Sequence, residues 1–261
     1  MNLRLSRVRV GILLIGVVFV SGFAVAQQPV AVPAPVPVPV PKPDPMRTDW
    51  PNLKRFQAED TALPTPTADE KRVVFMGDSI TEAWLHNGTD DGKPGPPFFP
   101  GKPYVNRGIS GQTTPQMLLR FRRDVIALKP AVVVIFAGTN DVAGNTGEMT
   151  PEQTEDNLST MAELAEVHGI RVVLCSILPA FDFGWHPGRE PAQKIVALNQ
   201  WIKDYAAAKG YGYVDFYSAM VDERGGLPVK LSKDGVHPNK AGYDIMNPLV
   251  EAGIARALAG K

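Results

Sequence analysis

Cysteine is almost absent from this sequence. Among 261 residues there is one, Cys175, so a disulfide framework is excluded and stability must come from a buried core. Cys175 sits in an apolar strand pattern and reads as a small buried hydrophobe rather than a reactive thiol. An excess of either charge is also missing: Lys and Arg total 27, Asp and Glu 27. No basic run or stripe occurs, which argues against nucleic acid as the main partner. No internal repeat is visible.

The first 70 residues do not read as core. Arg4, Arg7 and Arg9 precede an apolar run over 10–20, and small residues follow as far as Ala24-Val25-Ala26. This is the layout of a secretory signal peptide, residues 1–26, cleaved after Ala26. The apolar run is short for an uncleaved membrane anchor, and no cysteine stands near the cleavage point to carry a lipid. The expectation is a secreted or periplasmic protein with no stable membrane insertion after cleavage. Over 27–46 proline alternates with valine and alanine. Proline fixes φ and removes backbone donors, so this is an extended linker of roughly 3 Å per residue. Residues 47–70 form an N-terminal helical extension, with Leu53, Phe56 and Gln57 on the side that packs against the domain over 71–261. That domain is long enough for one sizeable core.

Within the domain, short apolar runs alternate with helical patterns. Strands are expected over 73–76, 104–106, 131–136, 170–177 and 213–216, the third buried on both faces by its composition. Helical spacing runs through Met117, Leu118, Phe121, Val125 and Leu128. A second helix starts at Pro151 behind the capping Thr150 and stops at Gly169. Others are expected over 191–209 and 239–258. Strands separated by helices imply a parallel sheet covered on both faces, hence a three-layer α/β/α domain with five parallel strands. The longest irregular insert, 86–103, is rich in glycine and proline and is expected on the rim of the ligand crevice.

The stretch 71–81, KRVVFMGDSIT, places a serine at a strand-to-helix turn. Such turns face the crevice where open α/β sheets bind ligands, and the next amides lie at a helix N-terminus. A serine there can attack, and its own N–H can stabilise the resulting anion. Asp78 and Ser79 are equally good helix caps, and this stretch alone leaves both readings open. Three more groups fall beyond strand ends or next to the last helix. Gly108-Ile109-Ser110-Gly111 follows the second strand, where glycine lets an amide approach a ligand closely. Gly138-Thr139-Asn140-Asp141 follows the strongest strand, and Asn140 can donate into the crevice. In Asp234-Gly235-Val236-His237 a tight turn brings a carboxylate beside an imidazole. Asp234 can then hold one ring nitrogen while the other takes the proton of Ser79. Nucleophile, base and orienting group are all present, and the N–H of Ser79, the N–H of Gly111 and the Asn140 side chain can meet an oxyanion.

In these four blocks the chain resembles the GDSL/SGNH family of serine esterases, in family order and over about 71–261. The resemblance implies a flavodoxin-like three-layer fold and cofactor-free hydrolysis of a carboxylic ester. It implies Ser79 as nucleophile, His237 as base, Asp234 as its partner, and Ser79, Gly111 and Asn140 as oxyanion donors. Gly108 competes with Gly111; Gly111 is preferred because the run Ser110-Gly111-Gln112-Thr113 is similar to the family's second block. Ile80 stands where the family name has leucine, a volume-conserving change. The G-x-S-x-G elbow of α/β-hydrolases is absent.

Other polar residues have plainer expected roles. Asp78 and Asp141 brace loops through backbone hydrogen bonds, and His168 is structural at a helix end. His86 and His186 fall in rim loops. Asp78, Asn140 and His237 could ligate a metal chemically, but without a second histidine or a paired carboxylate at suitable spacing no metal is expected. Trp84, Phe98, Phe99, Phe181, Phe183 and Trp185 fall in segments expected at the rim. Of these, Trp84, Phe183 and Trp185 are the expected substrate-binding residues, since aromatic faces suit sugar rings and acyl chains alike. No long apolar lid segment is present, which favours short acyl groups and an O-acetylated saccharide. A lysophospholipase or arylesterase, and a non-catalytic surface binding module, are the other readings. No pattern specifies an oligomeric state.

Overall fold

The computed structural model describes residues 48–86 and 98–260. The expected signal peptide and linker, and most of the 86–103 insert, lie outside the described residues. Five strands form one parallel sheet: β1 (Val73–Gly77), β2 (Tyr104–Gly108), β3 (Val132–Phe136), β4 (Arg171–Cys175) and β5 (Gly212–Val214). Their order is β2-β1-β3-β4-β5. Because side chains alternate along a strand, Val74 and Met76 of β1 face one apolar cluster and Val73 and Phe75 face another. The first cluster is closed by α3 (Thr114–Asp124), α5 (Pro151–Val167) and α6 (Pro191–Lys209), through Met117, Phe121, Leu158, Met161, Ile195 and Leu198. The second is closed by α2 (Ser79–Ala83) and α8 (Lys240–Leu258), through Ile80, Tyr243, Met246, Val250 and Ile254. This is the three-layer α/β/α arrangement. Cys175 is buried in the second cluster.

Local chemistry sets the element ends. Capping boxes open α3 at Thr113 and Gln116 and α5 at Thr150 and Gln153, each satisfying amides that a helix start leaves without partners. Two strands are shorter than their apolar runs, for one reason. Ile177 donates its N–H to Asn199 Oδ1 at 2.7 Å, and its carbonyl accepts from Asn199 Nδ2 at 2.9 Å. Phe216 and Tyr217 both donate their amides to Ser176 Oγ at 2.9 Å. Buried side chains take the backbone bonds that a longer ladder would have used. Two short helices had no clear sequence signal: α4 (Thr139–Ala143) and α7 (Tyr217–Met220).

The N-terminal extension is only partly as expected. Its helix α1 is short (Gln57–Ala62). Phe56 is buried with the Arg55 and Arg107 guanidinium groups 4.8 and 4.6 Å from its ring centre, and Leu53 is half-buried, but Gln57 is exposed. The carbonyls of Trp50 and Pro51 each accept a side-chain amide, from Gln116 and Gln112, at 2.8 Å. The extension is thereby fastened to the loop that carries Gly111.

Gly108 sets how closely α2 approaches β2. A Cβ at this position would stand 2.2 Å from the Glu82 amide nitrogen and 2.8 Å from the Asp78 carbonyl. Both are backbone atoms that cannot rotate away. We expect Gly108→Ala to destabilise the fold by about 2–3 kcal/mol in urea unfolding, and to displace the helix carrying Ser79. A variant with wild-type stability would contradict this packing.

Candidate active site

From β1 the chain crosses outward to β2, then returns to β3 on the other side of β1. Connections leaving β1 and β3 therefore diverge, and a crevice opens at their carboxyl ends. Ser79 follows β1 and Asn140 follows β3, so the two blocks face this crevice from adjacent strands. Ser79 is the first residue of α2, and Asp78 caps the helix by accepting the Ile80 amide at 3.0 Å. Capping thus falls to Asp78, which leaves the Ser79 hydroxyl available.

The Ser79 Oγ lies 2.9 Å from His237 Nε2, and His237 Nδ1 lies 2.7 Å from Asp234 Oδ2. With the ring proton on Nδ1 donated to the carboxylate, Nε2 is free to accept the serine O–H. Asp234 is held in turn by three donors to Oδ1: the amides of Val236 and His237 at 2.9 and 2.8 Å and Ser232 Oγ at 3.0 Å. Partial burial works to raise the Asp234 pKa. The His237 amide, the His237 ring and the Val236 amide outweigh it and hold the pKa at about 2. The carboxylate is therefore charged wherever the imidazole needs a partner.

Three groups expected to face an oxyanion are placed as follows. The Ser79 amide opens α2, where helical geometry offers it no intrahelical acceptor. Gly111, exposed and at φ +77, has no partner for its N–H among the described residues. Gly108 differs: its amide donates to Asn106 Oδ1 at 2.9 Å, so it is a packing glycine. Asn140 Nδ2 lies between the two blocks, 3.0 Å from the Gln112 carbonyl and 3.3 Å from Asp78 Oδ2. Glu82 of α2 accepts from both the amide and the hydroxyl of Ser110. The turn bearing Gly111 is thus tied to the helix bearing Ser79.

Of the residues expected to contact substrate, one lies at the surface beside His237. Trp185 is 40% exposed, with its ring 6.0 Å from that of His237. Trp84 and Phe183 are not on the rim. Trp84 follows Ile80 by one helical turn, is 1% exposed and packs against Phe75, Phe216 and Tyr243. Phe183 is fully buried beneath Trp185, ring centres 5.1 Å apart. Phe98 and Phe99 are half-buried against the Phe75 and Trp84 rings, and exposed Phe181 lies against Arg224. His168 Nδ1 lies 2.8 Å from the Leu164 carbonyl and His186 Nδ1 2.8 Å from the Ala143 carbonyl. The crevice beside Ser79 and His237 is a cleft of about 430 Å³, lined by Ser110, Lys233, Asp234 and Asn239 as well. Sequence reasoning missed Ser232, Glu82, Gln112 and Asn145. Only Asn145 carried a signal, a polar residue in Gly144-Asn145-Thr146-Gly147 directly after the Asn140 block.

Two buried carboxyl groups underlie the site. Burial is the main cause that pushes Asp78 up to about 7, against the Ile80 amide and His237, which lower it. Burial likewise pushes Asp141 up to about 6, opposed by hydrogen bonds from Thr114. A carboxyl that holds its proton more tightly folded than unfolded loses its contribution to stability as pH rises, here from the ordinary value near 4 through about 7. In Asp78→Asn this dependence is gone. Urea midpoints at pH 4.5, 6 and 8 should therefore shift in the variant's favour, relative to wild type, as pH rises. A constant difference across that range would refute the assignment.

The chain is similar to proteins already known. The model of the GDSL-like Lipase/Acylhydrolase family matches residues 75–245. A GDSL-like lipase from Bacteroides thetaiotaomicron VPI-5482 is 48% identical, with a TM-score of 0.75, over 80% of this chain and 100% of its own. A candidate acylhydrolase from Bacteroides fragilis NCTC 9343 is 46% identical, with a TM-score of 0.76, over 80% of this chain and 99% of its own. An acetylxylan esterase of Xylanibacter ruminicola is 27% identical over 227 residues, which are 74% of this chain and 45% of that protein. The chain spans about half the length of the curated relatives it matches. With the family model spanning all four blocks, the chain belongs to the GDSL-like lipase/acylhydrolase family.

Proposed function

We propose that this protein is an exported serine esterase that hydrolyses short-chain carboxylic esters through an acyl-Ser79 intermediate, its substrate an O-acetylated saccharide. The observation that carries the reading is the continuous chain Ser79–His237–Asp234, with contacts of 2.9 and 2.7 Å. Ser79 Oγ attacks the ester carbonyl as its proton passes to His237 Nε2. The oxyanion is met by the amides of Ser79 and Gly111 and by Asn140 Nδ2, whose 3.3 Å contact to Asp78 is the weaker of its two. Collapse breaks the ester C–O bond, and His237 gives its proton to the departing alcohol. Water then attacks the acyl-serine, His237 takes its proton and returns it to Ser79, and the carboxylic acid leaves. The chain needs no further group for these steps.

Substrate class rests on the cleft. Its lining is mixed, with Ser79, Ser110, Lys233, Asp234, His237 and Asn239 supplying hydrogen-bonding groups beside Ala83 and Pro238 and no large aliphatic side chain, and Trp185 adds one exposed aromatic face. Sugars stack on such faces and hydrogen-bond to such groups, whereas a long acyl chain needs apolar walls. The family relative named as an acetylxylan esterase fits that reading. Export rests on the N-terminal sequence; no helix among the described residues is long and apolar enough to cross a membrane.

On p-nitrophenyl acetate, Ser79→Ala should abolish turnover, and near-wild-type activity would end the proposal. Asn140→Ala should lower kcat by roughly 10²–10³-fold; an unchanged rate would remove Asn140 from the oxyanion site. Acetate release from acetylated xylan should exceed fatty-acid release from lysophosphatidylcholine, and the opposite order would reassign the substrate.

A further inference from the structure

Asn145 joins the exposed ring beside the triad to two of the groups that face the oxyanion. Its Oδ1 accepts the Trp185 indole N–H at 2.9 Å, and its Nδ2 donates to Asn140 Oδ1 at 2.8 Å and to the Gly111 carbonyl at 3.2 Å. An indole N–H can only donate and the two carbonyl-type oxygens can only accept. Trp185 therefore fixes which way the Asn145 amide points, and a flipped amide would set its NH₂ against the indole N–H. With Asn140 Oδ1 held, the plane of its amide is set and Nδ2 is aimed between Gln112 and Asp78. With its carbonyl held, Gly111 loses the freedom that a glycine at φ +77 would otherwise have. On its other flank Gly111 is already restrained through Ser110, which Glu82 holds.

We propose that Asn145 is a positioning residue that couples the seating of substrate on Trp185 to the orientation of the oxyanion donors Asn140 and Gly111. The proposal rests on the acyl-Ser79 reading. Trp185 is 40% exposed, so a saccharide ring placed on it also orders the indole N–H. Ordering that N–H holds Asn145, and Asn145 holds the two donors. The benefit falls on the transition state, where the oxyanion forms, and so on kcat rather than KM.

The test uses the full-length protein with acetylated xylan, whose sugar ring can sit on Trp185, and with p-nitrophenyl acetate, the same outcomes being expected on both. Asn145→Asp keeps the side-chain shape and removes both N–H donors; Asn145→Ala removes the side chain without adding a charge. Each should lower kcat by about tenfold or more, with KM within about twofold of wild type and the thermal midpoint little changed, because the side chain is half-exposed. Trp185→Phe keeps a ring and loses the N–H. It should lower kcat less, and the Asn145→Ala/Trp185→Phe double variant should be no slower than Asn145→Ala alone. Wild-type kcat in both Asn145 variants, a change confined to KM, or additive losses in the double variant would each overturn the proposal. Ser79→Ala, assayed in parallel, separates the two levels. If it retains turnover, the acyl-serine reading fails; if it is inactive while the Asn145 variants are normal, only the positioning role fails.

Discussion

The 2.9 Å contact between Ser79 Oγ and His237 Nε2 joins residues 158 positions apart, and much of the packing around it serves to hold that distance. Ser79 rides on a five-residue helix, too short to be stable alone. That helix is clamped from both sides. Toward the sheet, Gly108 lets it lie against β2, and Asn106 Nδ2 donates to the Thr81 carbonyl at 2.6 Å. Toward solvent, α8 holds it through Tyr243 Oη to the Ile80 carbonyl and through Trp84 Nε1 to Asn247 Oδ1, both at 2.7 Å. The turn bearing Asp234 and His237 leads directly into α8, so the same helix fixes both ends of the Ser79–His237 contact.

Beneath this surface lies a polar layer that an ordinary apolar core would not contain. Asp78, Asp141, Asn140, Gln112, Arg120 and Asp124 are all buried. Arg120 donates to Gln112 Oε1 at 2.6 Å, to the Gly77 carbonyl at 3.1 Å and to Asp124 at 3.0 Å. Burial lowers its pKa to about 10, with Asp124 opposing the shift, so it remains a cation. Burying such groups costs several kcal/mol each unless their hydrogen bonds are made. Here the partners are the backbone and side chains that shape the crevice: Gly77 before the Asp78-Ser79 block, Gln112 after Gly111, and Thr114 against Asp141. A network of this kind fixes one arrangement of the site at the expense of a drier core.

The strand pattern and the four blocks were legible in the sequence because each depends on local features. An apolar run that stops at Gly77-Asp78-Ser79 has few structural meanings, and Asp234 and His237 are close enough in sequence for one turn to bring them together. Element ends at Ile177 and Phe216 were not legible, since they depend on Asn199 and Ser176 arriving from elsewhere in the fold. The aromatic residues divided along the same line. Trp84 is inward because it repeats the Ile80 face one turn on, a period that its glycine- and proline-rich surroundings obscured. In Phe181-Asp182-Phe183-Gly184-Trp185 only Phe183 is buried, and the residues on both sides of it are exposed; a strand-like alternation would have put all three aromatics on one face. In this irregular segment no local period marks which of the three rings turns inward. The difference between Gly108, whose amide is taken by Asn106, and Gly111 likewise depends on contacts that no spacing encodes.

The account stands on Ser79 being activated by His237 rather than merely lying near it. The most direct measurement is the rate at which a fluorophosphonate labels the intact protein, read by mass spectrometry at Ser79, in wild type and in His237→Ala. Labelling confined to Ser79 and slowed by several orders of magnitude in the variant, roughly 10³–10⁴-fold or more, is the expected result. Equal rates in the two proteins, or label on another residue, would contradict it.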